Sequence, residues 1–136
     1  MRKRLLLLLL FAAAAGLLSG CSLKKEGTEK TADLDFTIVA EQDIPKEFQS
    51  ILEEKKQNPM TLTFLDQDGL YLAVGYGTQK TTGYSIGVEA LYLTENGICL
   101  DTTLIGPAKG EKVTETESWP YIVIKTERRE EDVTFQ

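Results

Sequence analysis

Asp66-Gln67-Asp68-Gly69 comes nearest to a metal-binding loop, because calcium loops open with oxygens at alternate positions and a glycine at the sharp turn. The closing bidentate Glu is missing at its proper distance. Asp and Gly are equally what a hairpin turn prefers, so the stretch reads as a turn, and neither a metal nor any other cofactor is expected. Glu89 and Asp101 are carboxylates on expected strands, a residue type that runs glycoside hydrolysis without an imidazole, but nothing makes them a pair. Histidine is absent. That removes the Ser-His and Cys-His nucleophile pairs, the two-His zinc motif and any imidazole pH switch. No catalytic residue emerges, and the chain is expected not to be an enzyme.

The stretch Gly75 to Ile86 (GYGTQKTTGYSI) is rich in glycine and threonine between two expected strands. Backbone N–H groups of such a loop can cradle an anion, although the spacing of a phosphate loop is missing. The other reading is a tight crossover in which the glycines allow close backbone approach. Cys99, in Ile98-Cys99-Leu100, reads as a small buried hydrophobe rather than a reactive thiol.

Residues 1–20 read as a leader. Arg2-Lys3-Arg4 precedes an apolar run from Leu5 to Leu18, roughly 20 Å long as a helix, against a bilayer core of about 30 Å, so it is expected to be a signal peptide and not a span. The run ends at Leu18-Ser19-Gly20-Cys21, which resembles the bacterial lipobox. Cys21 is therefore the expected lipidation site, carrying acyl chains such as palmitate and anchoring the protein to a membrane in the cell envelope, outside the cytoplasmic membrane. More than one acyl chain at a residue meets the requirement for stable anchoring. Without its leader the chain keeps 12 basic residues against 21 acidic ones. An acidic domain of this kind does not neutralise phosphates, so nucleic acid is not an expected partner.

Within the exported part, residues 21–33 combine the lipidated cysteine with a polar stretch read as a flexible tether. Residues 34–126 are expected to form one α+β domain, a mostly antiparallel sheet of five or six strands with one amphipathic helix, opening on the short β-prone run Phe36 to Ala40. The helix shows in Ile44, Phe48, Ile51 and Leu52 at i, i+4, i+7 and i+8, with Pro45 at its start and Asn58-Pro59 closing it. After Pro59 the period changes to two. Met60, Leu62 and Phe64 alternate with threonines, and Leu70, Leu72, Val74 and Tyr76 follow the Asp-Gly turn. A second hairpin runs from Tyr84 through Asn96-Gly97 to Leu104, the Asn-Gly pair predicting a type I′ turn with positive φ at both central positions. Tyr121 to Lys125 supplies a further strand, and residues 127–136 read as a charged, solvated tail.

Two resemblances bear on function. Gly77, Thr81, Gly83, Tyr84, Ser85 and Ile86, followed by Gly106-Pro107 and by Trp119-Pro120-Tyr121-Ile122-Val123-Ile124, resemble the C-terminal domain of the PrcB family of bacterial protease-complex lipoproteins. Lys80 stands where that family has Pro, and Thr82 where it often has Gly. The resemblance implies a non-enzymatic, protein-binding accessory subunit whose partner is a secreted protease. Thr81-Thr82-Gly83-Tyr84 also resembles the Thr-Thr-Gly-aromatic loop of chagasin-type protease inhibitors, although Lys80 and Ile86 replace their flanking Pro and Trp. On either reading Tyr76, Thr81, Thr82, Gly83, Tyr84 and Trp119 are the candidate contact residues, since Trp and Tyr most often carry interface energy. Tyr84 is expected to be more packed than Tyr76, and Trp119 to sit at a loop end. All could instead be core.

Overall fold

Alternating apolar residues build the strands of the computed structural model, which describes residues 29–136. Cys21, the leader and the first part of the tether lie outside the described residues. The strands are β1 (Ala32–Asp33), β2 (Phe36–Ile38), β3 (Pro59–Leu65), β4 (Leu70–Tyr76), β5 (Ser85–Thr94), β6 (Gly97–Ile105), β7 (Tyr121–Thr126) and β8 (Val133–Phe135), with one helix, α1 (Lys46–Lys55). They form two four-stranded sheets, ordered β1-β5-β6-β8 and β2-β7-β4-β3. Every pairing is antiparallel except that of β6 with β8. The class is α+β and mostly antiparallel, as expected.

Among the described residues the strands number eight, in two sheets rather than one. β2 falls within the β-prone run Phe36 to Ala40, and the additional strands, β1 and β8, are two and three residues long, too short for a period of two to register, so edge pairing holds them. Ala32–Asp33 pairs with β5 and the Thr31 N–H donates to the Leu93 carbonyl at 2.8 Å, so the expected tether ends before residue 31. At the other terminus the charges of residues 127–132 are mostly exposed, with Arg129 gripping Glu127 and Glu131 at 2.6 and 2.7 Å. Val133–Phe135 is not tail. It pairs with β6, and Val133 and Phe135 pack on the core between the sheets.

β4 explains the layering. Leu70, Leu72 and Val74 meet Leu91, Ile98, Leu100 and Ile124 between the two sheets, while Tyr71 and Ala73 face the helix side with Phe48, Leu52, Met60 and Val123. Both faces of this strand are covered, which is why its sequence is nearly continuous in apolar residues. The order of layers is helix, sheet β2-β7-β4-β3, sheet β1-β5-β6-β8.

Ile44, Phe48 and Leu52 form the buried ridge of α1, and Phe48 stacks on Phe64 with ring centroids 5.1 Å apart. Ile51 lies on the flank of that ridge and is exposed, because contact with a single sheet face needs only the i, i+4, i+8 row. The β5–β6 turn departs from type I′. Among the described residues no non-glycine has positive φ, so only Gly97 (φ 137°) takes the unusual conformation, and the Asn96 N–H donates to the Thr94 hydroxyl at 3.1 Å instead.

Candidate functional site

Two irregular segments lean on each other at one end of the helix-backed sheet. The first leaves β4 at Tyr76, where Gly77 has φ 77° and a side chain would meet the Pro59 ring. The second is the stretch after β6 that ends at Pro120. Gln79 and Ser118 exchange backbone hydrogen bonds at 2.8 and 3.0 Å. The Ser118 hydroxyl donates to the Thr81 carbonyl at 2.6 Å, and the Thr114 N–H donates to the Thr82 hydroxyl at 2.9 Å. The indole N–H of Trp119 reaches the Thr78 hydroxyl at 2.9 Å.

These bonds decide between the two readings of the loop. The N–H groups of Thr78, Gln79 and Thr82 donate to the carbonyls of Gln57, Ser118 and Thr114. They are spent on the protein itself and are not turned to an anion, so the loop is a pinned crossover. Thr81 and Thr82 are half-buried within it and Gly83 (φ 94°) is exposed.

The candidate aromatic residues separate. The Tyr76 ring packs on the core between the sheets, and its hydroxyl shares a 2.8 Å hydrogen bond with buried Thr102 on the facing sheet. Its hydroxyl joins the two sheets, and the residue as a whole is half-buried. Tyr84 is half-buried, with its ring beside Gly106. Trp119 is half-buried at a loop end, with the Lys56 ammonium 5.3 Å from its ring centroid.

Beside Trp119 runs a groove of about 370 Å³ between α1 and β7. Its floor and walls include Ile38, Ile44, Glu53, Lys56 and Tyr121, and Ile38 is 66 % exposed. Lys56 pairs with Glu53 at 2.8 Å, which raises its pKa above the ordinary lysine value. Burial, and then the carboxylates of Glu41 and Glu53, push the Tyr121 hydroxyl above the ordinary tyrosine value. Among the groove residues Ile38, Glu41, Glu53 and Lys56 carry no local signal of a site, while Trp119 to Val123 belong to the motif quoted above. They meet only because β2, α1 and β7 converge.

The other candidates resolve into structure. The Asp66 carboxylate accepts from the N–H groups of Asp68 and Gly69 at 2.8 and 3.1 Å, which makes the stretch a hairpin turn. Among the described residues no three metal-ligating side chains come together. Asp101 stands opposite Ala90 while Glu89 falls in a bulge, so the strands do not pair the two carboxylates. Cys99 is buried, and the side-chain amide of Gln136 approaches its sulfur at 3.7 Å.

Residues 70–127 match the family model described as PrcB C-terminal. The match runs from the first residue of β4 to just past β7 and so contains both halves of the pinned surface. No curated protein and no solved structure matches the chain.

Proposed function

Because residues 70–127 belong to the PrcB C-terminal family, we propose that this chain is a non-enzymatic accessory lipoprotein that binds a protein partner, a subunit of a secreted protease complex. The observation that carries the reading is the pinning of the 76–84 loop by Ser118 and Trp119 inside the matched segment. A surface held by cross-loop hydrogen bonds is ordered before any partner arrives, so binding loses little entropy there. Trp119, half-exposed and flanked by Lys56, has the chemistry of an interface anchor.

Acyl chains on Cys21 hold the protein outside the cytoplasmic membrane. Ten residues separate Cys21 from Thr31, where pairing with β5 begins, so the body lies within about 35 Å of the anchor even at full extension. Among the described residues no helix is long and apolar enough to cross a membrane.

Two measurements test the proposal. Full-length chain expressed with radiolabelled palmitate takes up label and partitions into detergent, and Cys21→Ser abolishes both; partition that survives the substitution overturns the anchor. Cross-linking in the parent envelope captures a protease component with the unsubstituted chain and loses it with Trp119→Ala. Stoichiometric block of a papain-type protease by the purified chain would instead favour the inhibitor-like use of Thr81 to Tyr84.

A further inference from the structure

The edge of β7 next to the groove lacks a neighbour over its first turn of strand. Along an antiparallel ladder, successive residues direct their backbone groups to opposite sides. The Pro120 carbonyl accepts from Tyr76 N–H on the β4 side, and the Val123 carbonyl accepts from Val39 N–H on the β2 side. By that alternation the N–H and C=O of Tyr121 point toward β2. However, β2 stops at Ile38, and after Val39 the chain turns away into the short helical turn Glu41–Asp43. Among the described residues nothing pairs with these two groups of Tyr121.

The side chains around this open edge specify what fits. Ile38, the most exposed of the large apolar residues among those described, leaves a hydrophobic wall uncovered. The charge of Lys56 is spent on Glu53 and on the Trp119 ring. Glu41 lines the groove with no direct ion pair among the described residues, and with Glu53 it outnumbers Lys56, so the groove is net negative.

We propose that this groove takes an extended, cationic segment of a partner protein, added as a strand to the open edge of β7. Backbone hydrogen bonds to Tyr121 hold it, an apolar side chain covers Ile38, and a Lys or Arg faces Glu41. Strand addition draws affinity from main-chain bonds and specificity from alternate side chains. The inference rests on the reading of the chain as a protein-binding accessory.

The test selects displayed random octapeptides on the full-length chain in detergent. Peptides with a basic residue two positions from an apolar one are enriched, and Glu41→Lys, a substitution at an exposed site, weakens the best of them by about tenfold. N-methylation of that peptide at alternate positions abolishes binding in one register and spares it in the other, the signature of a strand bonded along one edge. In the isotopically labelled chain the amide signal of Tyr121 shifts when the peptide is added. Absence of such enrichment, indifference to Glu41→Lys, or tolerance of methylation at every position overturns the proposal. Sedimentation showing a second copy seated on this edge also overturns it. Capture of a protease component that survives Glu41→Lys would sink the groove and leave the accessory reading standing. Selected peptides that bind as described, with no envelope protein captured, would do the reverse.

Discussion

Trp119 and Thr78 lie 41 positions apart in the chain, and the indole N–H of one donates to the hydroxyl of the other at 2.9 Å. The bond closes the surface that joins the β4–β5 crossover to the segment before β7. Trp119→Phe keeps a ring over Lys56 and removes the donor at an exposed site, so it is expected to cost about 0.5–1 kcal/mol in denaturant melts. Trp119→Ala is expected to cost less than the about 3–5 kcal/mol of a core tryptophan and to weaken partner capture by at least about 1 kcal/mol. A full core-sized loss of stability with capture intact would remove Trp119 from the contact surface.

Gly97 is constrained twice. Its φ is 137°, and a side chain on it would run into the Asp132 carbonyl, which also accepts the Ile98 N–H at 2.8 Å. Gly97→Val is expected to cost about 1–3 kcal/mol from backbone strain alone, and to release β8 as well. Hydrogen exchange at the Ile98 amide, compared with thermal melts, checks both; slow exchange and an unchanged midpoint would contradict it.

Tyr76 and Thr102 tie the two sheets through one 2.8 Å hydrogen bond. Tyr76→Phe leaves the buried Thr102 hydroxyl without that partner, an expected loss of about 1–3 kcal/mol. Adding Thr102→Val to the Phe variant is expected to recover part of the loss, because a hydroxyl no longer needs a partner there. A double-mutant cycle with no coupling would show that the bond contributes nothing.

Tyr121 makes stability fall at high pH. Burial first, then Glu41 and Glu53, raise its folded pKa, so the folded chain holds this proton more tightly than the unfolded chain does. The contribution is fully present below the ordinary tyrosine value near 10 and is lost as pH rises through the folded value. Glu131 has the opposite sign. Its hydrogen bond to Arg129 lowers its pKa, so its contribution is present above the ordinary glutamate range and lost as pH falls through the folded value. A Tyr121 ring signal with the same titration midpoint in Glu41→Gln as in the unsubstituted chain would refute that carboxylate's part.

The middle of the chain was legible as sequence because its information is local. The hairpins of β3–β4 and β5–β6 and the ridge Ile44, Phe48 and Leu52 follow from side-chain periodicity, which a strand or helix imposes on neighbours a few positions apart. The Asn96-Gly97 turn was legible in place but not in conformation. The Thr94 hydroxyl takes the Asn96 N–H, and so Asn96 keeps negative φ.

What the sequence determined by itself is therefore the α+β class, the order of the long elements and the motif residues of 70–127. The tertiary structure decided the rest. Whether β4 has one covered face or two depends on α1 and β6 arriving from opposite sides. Whether Tyr76 or Trp119 meets solvent depends on Thr102 and Thr78, residues 26 and 41 positions away. The terminal strands β1 and β8 exist only because the edges of β5 and β6 offer unpaired backbone groups. Periodicity encodes which face of an element is apolar, but the element that covers that face is chosen by packing between distant segments, and no local spacing records that choice.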